Sequence, residues 1–592
     1  MKKFLKYVFA TFTGTVLGIF VIILIIGGIT FSMSGLLKEQ TITISDNAIL
    51  VISLQEKISE KTTHNPFDSF SPTEKSSTIG VFDICQSIQN AAKNDKIKGV
   101  VLLPNVITAQ YSSVQEIHKA LVDFKQSGKF IYSYADIYTQ KGYLLASVAD
   151  KIFMNPEGMF ELKGITSNTI FIKDVLEKIG IEPVLFRAGK YKSAAENITR
   201  TNMSQENREQ VFSFISDVWE HYQQSITTNR PALCNDFSTI VDSLLVWNAE
   251  SAYTYGFIDS IAYYDSFLSH IRTELEIDET KKIPQISLQD YISYMQQQKV
   301  LEPKSEEKIA LIIAEGSIDM GKGDDSSIGS STYTRIIRNA RQDTTIQAIV
   351  LRINSGGGSA LASEIIWREV ALAAQTKPVV VSMGDYAASG GYYIATHAHT
   401  IVAEPSTLTG SIGVFGMYVK TNTLMQKIGV HIDTVKTNTF SDFGSTTRDM
   451  HSREIAVITT SIDSIYSTFK QRVSEGRNLS LSTVEALAQG RIWSGTQALD
   501  LGLIDTLGGV FTAITIAAEK ANILDDYSIQ IFPKSKSYIE MLTESFMDSN
   551  NAFYTHIESI FGNDTRTIYS YLKYIPKKNG VYMQAPYTLT IE

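Results

Sequence analysis

The sequence predicts an α/β protein made of two tandem copies of one unit, each built around a parallel β-sheet, after an N-terminal transmembrane helix. Three observations support this prediction. A long apolar stretch opens the chain, an internal similarity runs through the remainder, and short Val- and Ile-rich runs alternate with segments of helical period. Runs that are apolar along their whole length are typical of strands buried on both faces of a parallel sheet.

The composition excludes several classes of protein. The chain has 592 residues, 44% hydrophobic and 19% charged, which is ordinary for globular proteins but longer than one hydrophobic core usually holds. A net charge of -9 and the absence of any long Lys/Arg cluster argue against nucleic-acid binding. Cys85 and Cys234 lie far apart in the sequence and form neither a metal-binding spacing nor a disulfide framework, so we expect both to be buried.

The start of the chain predicts a single-pass anchor in the cytoplasmic (inner) membrane. No charged residue occurs from Val8 to Met33, and about 20 apolar residues suffice for a spanning helix. Three lysines precede this segment and no Lys or Arg follows before Lys38, which predicts a cytoplasmic N-terminus and a body in the periplasm or another extracytoplasmic space. A cleaved secretory signal, with Ser32 and Ser34 near the cleavage site, is the alternative, but its apolar region would be shorter.

The chain after the anchor contains the same unit twice. Residues 142–168 align without a gap on residues 391–417, which places Gly142 over Gly391. Further matched pairs are 100–105 with 349–354, 177–184 with 426–433 and, after a small change of register, 255–260 with 501–506. A repeat of this length predicts two copies of one domain.

A polar interval separates the two copies. Residues 276–306 contain Pro284 and Pro303 and are predicted to form a linker or an exposed helical connection. The predicted organisation is a cytoplasmic start and anchor at 1–35, an N-terminal repeat at 40–275, the linker at 276–306, a C-terminal repeat at 307–525, and an extension without an assigned role at 526–592.

The C-terminal repeat shows the order β-α-β-α-β. Its predicted strands are 309–314, 348–353 and 378–383, with segments of helical period between them. Because ligands gather at the carboxyl ends of strands in parallel sheets, the residues that follow each strand are the candidates for a functional site.

A glycine loop follows the second strand. Residues 354–359 contain Gly356, Gly357 and Gly358, whose backbone N–H groups could hold a phosphate or an oxyanion. A phosphate-binding loop would need Gly-Lys-Ser/Thr or GxGxxG, and neither is present. The loop alone does not decide the chemistry.

Ser389 follows the third strand, where the chain turns into a helix. The positive end of that helix would favour an alkoxide or a tetrahedral oxyanion at this position. The small neighbours leave room for a substrate backbone, and the N–H of Gly390 could form an oxyanion hole with Gly357 or Gly358. The alternative is a serine that only caps the helix.

The sequence near Ser389 offers no convincing base. His397 and His399 lie about two turns along the same predicted helix and should point elsewhere. The tetrapeptide 467–470 fits the pattern S-x-x-K but lies in a long helical stretch without a glycine-rich context, so chance explains it better.

The duplication indicates where the base lies. Ser389 falls over Gln140 in the other copy, whereas Lys192 falls over Ser441, so each repeat has what the other lacks. This complementarity suggests a composite site, with the base from one repeat and the nucleophile from the other. The alternative is an exposed lysine beside Lys190.

Together these segments resemble the signal peptide peptidases of the protease IV type, in their long, doubled form. The resemblance covers nearly all of the chain after the anchor and rests on four segments in the expected order, 191–197, 352–364, 382–395 and 408–416. It implies that Ser389 is the nucleophile, that Lys192 is the general base, and that Ser411 orients the lysine amine. The family loop usually has Pro where this sequence has Gly356, which leaves Gly357 and Gly358 as alternative oxyanion donors.

The resemblance also implies two ClpP/crotonase-like domains, a homotetramer and the removal of signal peptides left in the membrane. The chemistry needs a neutral Lys192, so we expect its amine to be buried without a carboxylate partner. No metal or other cofactor is required, and we expect the substrate peptide to add a strand near the glycine loop. The competing functions are a crotonase-like acyl-CoA enzyme and a catalytically inactive membrane-bound scaffold that binds peptides.

Overall fold

The structure, a computed structural model, describes residues 42–63, 77–104, 106–233, 235–301, 305–324, 326–524, 526–534 and 580–584, with scattered positions between 6 and 21. The predicted anchor and Cys234 therefore lie largely or wholly outside the described residues. Within the described ranges, no helix has both the length and the apolar character needed to cross a membrane.

The first repeat is built on a parallel six-stranded sheet. Its strands, in spatial order, are Ser260–Ile261, Lys151–Phe160, Phe130–Tyr138, Ile97–Leu103, Ala48–Ser53 and Gln285–Ser287. The last of these lies in the interval predicted as a linker, as does the helix Leu288–Leu301, whose Tyr291 Oη donates to Asn90 Oδ1 at 2.7 Å. The interval therefore packs on the first repeat, while the division into domains stays a prediction.

The second repeat is built on a mostly parallel eight-stranded sheet. Its main path is Ile492–Trp493, Leu408–Gly410, Val379–Ala388, Ile346–Ser355, Lys308–Glu315 and Ser528–Phe532, and Thr400–Ala403 and Thr506–Leu507 form a branch beside Val379–Ala388. The three strands predicted from their apolar runs are all present and lie side by side in this sheet.

Helices cover both faces of each main sheet. In the first repeat, Phe267 and Ile271 of one helix cover one face, and a larger apolar core covers the other. In the second repeat, the helix Val510–Ala521 covers one face opposite a second large core. The helices are Val81–Lys93, Tyr111–Lys125, Gln140–Ala146, Lys173–Ile179, Glu196–Thr199, Gln205–Asn229, Phe237–Asp242, Ala249–Thr254, Tyr264–Glu274, Leu288–Leu301, Ser330–Gln342, Ala360–Ala374, Gly390–Ala395, Asn422–Lys427, Ser452–Arg477, Leu481–Leu487, Gly495–Asp500 and Val510–Ala521, with a 3₁₀ turn at Pro231–Leu233.

The duplication extends to individual hydrogen bonds. Tyr143 Oη donates to the carbonyl of Phe257, and Tyr392 Oη donates to the carbonyl of Leu503, both at 2.8 Å. Further matched contacts are Asp259 with Ile152 and Arg230, and Asp505 with Ile401 and Arg477. The two repeats are therefore copies of one fold.

A third sheet joins the two repeats. Its strands, in spatial order, are Ser327–Gly329, Ser317–Asp319, Gly357–Ser359, Gly580–Gln584, Val414–Lys420 and Glu182–Ala188. The first-repeat strand Glu182–Ala188 runs antiparallel to Val414–Lys420 of the second repeat over its whole length. A short fourth sheet pairs Lys57–Ser59 with Thr78–Gly80. The shared sheet brings the chain after Ala188 to the second repeat.

A buried ion cluster also connects the repeats. Arg352 of the second repeat is fully buried, and its Nε donates to Oε2 of Glu60 in the first repeat at 2.7 Å. The same guanidinium pairs with Glu116 of the first repeat and donates from Nη1 to Ser382 Oγ at 2.8 Å. Because Arg352 lies in the strand that leads into the glycine loop, this cluster supports the base of that loop.

Two further carboxyl groups are buried near this cluster. Asp385 accepts hydrogen bonds at 2.9 Å from the N–H and the hydroxyl of Ser113, and burial raises the pKa of Asp385 to about 7. Burial also raises the pKa of Glu404 to about 8, and among the described residues its Oε1 has no hydrogen-bond partner. Both carboxyl groups are therefore protonated over part of the range in which free carboxyl groups are ionised.

Candidate active site

Ser389 lies at the junction of the strand Val379–Ala388 and the helix Gly390–Ala395. Its backbone has φ 56° and ψ −115°, a conformation that side-chain-bearing residues rarely adopt. The N–H of Ser389 donates to the carbonyl of Gly410 at 2.8 Å, which holds this turn. The hydroxyl makes no capping hydrogen bond to the helix. Ser389 therefore does not act as a simple helix cap.

Lys192 enters the same site from the first repeat. Its Nζ lies 2.7 Å from Ser389 Oγ and 3.0 Å from both the carbonyl oxygen and the hydroxyl oxygen of Ser411. Ser389 is fully buried and Lys192 is 1% exposed. Burial lowers the pKa of the Lys192 amine well below its ordinary value of 10.5, and no carboxylate acts against this shift.

Ser411 occupies a second strained turn. Its φ is 49°, and its N–H donates to the carbonyl of Arg491 at 2.7 Å. Its hydroxyl donates to the carbonyl of Gly490 at 3.3 Å, which leaves the oxygen lone pairs to accept from Lys192. Both oxygens of Ser411 thus face the amine as acceptors.

The loop 489–491 supports the lysine and was not predicted from the sequence. The N–H of Tyr191 donates to the carbonyl of Gln489 at 2.8 Å, and the N–H of Gly490 donates to the carbonyl of Ile412 at 2.8 Å. Gly490 has φ 77° and lies directly against Lys192. Its only sequence signal is a glycine three residues before Trp493, and nothing connects that glycine to a lysine so far away in the chain.

Gln210 is a second supporting residue that the sequence analysis missed. Its Nε2 donates to the carbonyl of Tyr191 at 3.0 Å and to Ser193 Oγ at 2.9 Å. Its Oε1 accepts from the N–H of Ile492 at 3.1 Å. The buried Gln210 side chain therefore connects the lysine loop of the first repeat to the strand that follows the loop 489–491.

The glycine loop lies beside the nucleophile. Gly357 has φ 96°, and a β-carbon at this position would lie 2.6 Å from the backbone nitrogen of Gly390. The N–H of Gly357 donates to Ser355 Oγ at 3.1 Å. Gly390 begins the helix, so its N–H has no acceptor within that helix. The backbone of the glycine loop and that of Gly390 thus face one small space next to Ser389.

At the positions that match Ser389 and Lys192, the opposite repeat has a residue that takes no part in such a site. Gln140, which aligns with Ser389, accepts hydrogen bonds on Oε1 from the N–H groups of Lys163 at 2.7 Å and Gly164 at 2.9 Å. Ser441, which aligns with Lys192, lies exposed in a turn. The structure therefore brings Lys192 of the first repeat together with Ser389 and Ser411 of the second.

The histidines and the S-x-x-K tetrapeptide lie outside this site. His397 Nδ1 accepts from Trp367 Nε1 at 3.0 Å, and His399 Nδ1 accepts from the N–H of Val379 at 3.1 Å. Lys470 pairs with Glu485. In the part of the chain that the structure describes, no group of three or more His, Cys, Asp or Glu side chains is placed to hold a metal ion.

Comparisons with known proteins agree with the duplication. The model of peptidase family S49 matches residues 123–278 and 371–524, one range in each repeat. Protease 4 of Haemophilus influenzae is 34% identical over 77% of this chain and 75% of its own length. Protease 4 of Salmonella typhi is 35% identical over 80% of this chain and 77% of its own length. The solved structure of a mutant ClpP1 from Listeria monocytogenes covers 34% of this chain and 94% of its own, with 14% identity and a TM-score of 0.24.

Proposed function

This chain belongs to peptidase family S49 and is a serine peptidase, and we propose that it uses a Ser/Lys dyad with Ser389 as nucleophile and Lys192 as general base. The observation that carries the proposal is the 2.7 Å distance between Lys192 Nζ and Ser389 Oγ in a buried site. A nucleophile within hydrogen-bond reach of a base is the basic requirement for activating a serine hydroxyl.

The hydrogen bonds around Lys192 suit an uncharged amine. A neutral primary amine has two N–H donors and one lone pair, and Ser411 provides two acceptors, its carbonyl and its hydroxyl, each at 3.0 Å. When both N–H groups point at Ser411, the lone pair is left for the hydroxyl proton of Ser389. We therefore assign Ser411 the role of orienting the amine.

Burial supplies the neutral amine. A lysine in water is almost fully charged at pH 7, whereas desolvation lowers the pKa of Lys192 well below 10.5. A carboxylate neighbour would restore the charge, and no carboxylate contributes to the shift. Lys192 is thus suited to accept a proton at a pH at which a free lysine could not.

The reaction follows from these positions. Ser389 Oγ attacks the carbonyl carbon of the scissile peptide bond while its proton passes to Lys192 Nζ. The lysine then gives this proton to the leaving amine, which leaves an acyl ester on Ser389. Water, deprotonated in turn by Lys192, hydrolyses the ester and restores the serine.

The developing oxyanion needs donors opposite the nucleophile. We assign this role to the N–H of Gly390 together with that of Gly357 or Gly358, since a β-carbon at Gly357 would lie only 2.6 Å from the nitrogen of Gly390. The existing hydrogen bond from the N–H of Gly357 to Ser355 Oγ favours Gly358 as the second donor.

The substrates and the location are further parts of the proposal. The apolar segment from Val8 to Met33 and the lysines before it support a single-pass anchor with a cytoplasmic N-terminus and an extracytoplasmic body. A peptidase held at the outer face of the cytoplasmic membrane is suited to signal peptides and other hydrophobic peptides released there. We also propose a homotetramer, on the basis of the family resemblance.

Covalent labelling tests the dyad. The full chain in detergent should react with a fluorophosphonate at Ser389, identified by mass spectrometry, and should hydrolyse a synthetic signal peptide. Ser389→Ala should lose both properties, and Lys192→Met should lose hydrolysis, whereas Ser441→Ala at the exposed matching position should keep both. A wild-type chain that binds the peptide without cleaving it would instead be a scaffold, and one that carries no label but acts on acyl-CoA would be a crotonase-like enzyme.

A further inference from the structure

A segment near the C-terminus lies in the cleft beside Ser389. The strand Gly580–Gln584 is antiparallel to Gly357–Ser359 on one side and to Val414–Lys420 on the other. The paired positions are Gln584 with Gly357, Met583 with Gly358, Tyr582 with Ser359 and Phe415, Val581 with Gly416, and Gly580 with Met417. This segment therefore fills the gap between the glycine loop and the strand that pairs with the lysine-bearing repeat.

The carbonyl oxygen of Met583 lies against Gly357 and Gly390, the glycines beside Ser389. A β-carbon on Gly357 would collide with the carbonyl oxygen of Met583, and one on Gly390 would lie 3.0 Å from it. Since Gly357 and Gly390 adjoin each other, this oxygen lies between the two glycine backbones that flank Ser389. Gly390 and the glycine loop are assigned above to the oxyanion, and Gly358, the favoured second donor, is the residue that pairs with Met583.

The side chain of Met583 is held as a substrate side chain would be. It is 1% exposed and belongs to the main apolar core of the second repeat. The strand also packs on the helix Ala360–Ala374, which begins directly after the glycine loop. An extended segment with backbone pairing along both edges and one buried side chain has the features of peptide recognition by strand addition.

We propose that residues 580–584 are bound as a substrate and that the enzyme cleaves its own chain between Met583 and Gln584. This inference rests on the proposed function, because it needs Ser389 as nucleophile. The extension without an assigned role would then end in a recognition sequence for the active site of the same protein.

The proposed step balances as an ordinary hydrolysis. Ser389 Oγ bonds to the carbonyl carbon of Met583, the C–N bond to Gln584 breaks, and the new amine of Gln584 receives the serine proton by way of Lys192. One water molecule then hydrolyses the ester. The products are residues 1–583 with a new carboxylate and the free peptide 584–592, and no oxidant, metal or nucleotide takes part.

In this arrangement, the side chain of Met583 occupies the main specificity pocket. The space that holds Met583 is apolar and closed to solvent, so it should accept an unbranched or γ-branched apolar side chain and reject a charged one. Met583→Leu keeps the apolar character and nearly the volume, whereas Met583→Asp places a carboxylate in the same pocket.

Intact-mass spectrometry of the full chain in detergent tests the proposal. The wild type and Met583→Leu should lose residues 584–592, whereas Ser389→Ala should keep them. Met583→Asp should also remain uncut while it still hydrolyses a free signal peptide, since its catalytic groups are unchanged. The free-peptide assay runs in parallel on every variant.

The outcomes separate this inference from the proposed function. A wild type that hydrolyses the free peptide but retains Glu592 would overturn the self-cleavage and leave the dyad intact. Loss of 584–592 from Ser389→Ala as well would also overturn it, because another protease would then be responsible. A wild type that cleaves neither itself nor the free peptide would overturn the proposed function.

Discussion

Gly490 packs so closely on Lys192 that a β-carbon at position 490 would lie 2.6 Å from the Cβ of Lys192 and 2.7 Å from its Cα. Real side chains do not approach so closely, so any other residue at position 490 would push the lysine backbone away. The two residues belong to different repeats, and the position of the amine therefore depends on a glycine that does no chemistry.

Gly490→Ala should lower kcat/KM by about 10²-fold, the cost of a misplacement of roughly 1 Å in a catalytic group. Gly429→Ala is the matched control, because Gly429 has the same φ of 77° but no atom within 4 Å of its β-position. Both variants place a side chain at a positive φ, but only the β-carbon of Gly490→Ala collides with Lys192. Peptide hydrolysis and thermal unfolding of both variants make the comparison, and equal kcat/KM values would contradict the role of Gly490.

Lys192→Met should lower kcat on the order of 10⁴-fold without lowering the melting temperature. The folded state holds the Lys192 amine with a lowered pKa, whereas the unfolded chain protonates it up to about pH 10. The unfolded state therefore binds more protons at neutral pH, so the buried amine costs stability that methionine does not. Lys190→Met is the control, because the Nζ of Lys190 lies over the Tyr191 ring instead of in the site. This variant should change kcat by less than about twofold. A markedly lower melting temperature for Lys192→Met would contradict this account.

The activity should fall as the pH falls through the pKa of Lys192, because protonation removes the general base. Ser411→Ala removes a hydroxyl that accepts from the amine at 3.0 Å and so stabilises the ammonium form. Its pH–rate profile should therefore have its acid limb at a lower pH, together with a plateau reduced about 10-fold by poorer orientation. An acid limb that moves to higher pH in Ser411→Ala would contradict the stabilisation of the ammonium form by this hydroxyl. The control variant Ser441→Ala should leave the pH–rate profile unchanged.

Arg352→Met should destabilise the fold by about 3–5 kcal/mol, because it leaves the buried carboxylates of Glu60 and Glu116 without their cation. Arg338→Met is the control, since the Arg338 side chain is 50% exposed in its pair with Glu369 and should contribute at most about 1 kcal/mol. Urea unfolding measures both values. Similar losses in the two variants would contradict a special role for the buried cluster.

The buried carboxyl groups of Glu404 and Asp385 should contribute stability that is lost as the pH rises from about 4 to about 8. Burial raises the pKa of Glu404 to about 8 and that of Asp385 to about 7 in the folded state, so the folded protein holds protons that the unfolded chain has released. Glu404→Gln removes one of these groups and should flatten the dependence, with the largest gain at pH 8. The measurement is the melting temperature of the wild type and of Glu404→Gln across this pH range. If the two melting temperatures change with pH in parallel, Glu404 does not contribute to the pH dependence of stability.

The sequence was sufficient for the parts of the fold that depend on local pattern. Continuous apolar runs such as 348–353 predicted buried strands, and each of them lies in a parallel sheet. The position after a predicted strand selected Ser389, and the constant register between the repeats then indicated Lys192, because Ser389 falls over Gln140 and Lys192 falls over Ser441. The structure brings these two side chains together.

The parts that were missed depend on contacts between distant segments. The strand Glu182–Ala188 pairs with Val414–Lys420 across the two repeats, and neither segment carries a signal of its partner. Gln210 and Gly490 support Lys192 through backbone groups, which leave no pattern in a single sequence. The strand Gly580–Gln584 has only five residues in a tail of mixed composition, so periodicity could not identify it.

The antiparallel pairing of Glu182–Ala188 with Val414–Lys420 has an evolutionary consequence. An ancestor with a single unit could have assembled the same chemistry only by placing two polypeptides side by side, each giving one group to its neighbour. Within one chain, the first repeat can do without the serine and the second without the lysine, because the shared sheet keeps the two repeats together. On the proposed mechanism, neither repeat alone would be a working peptidase.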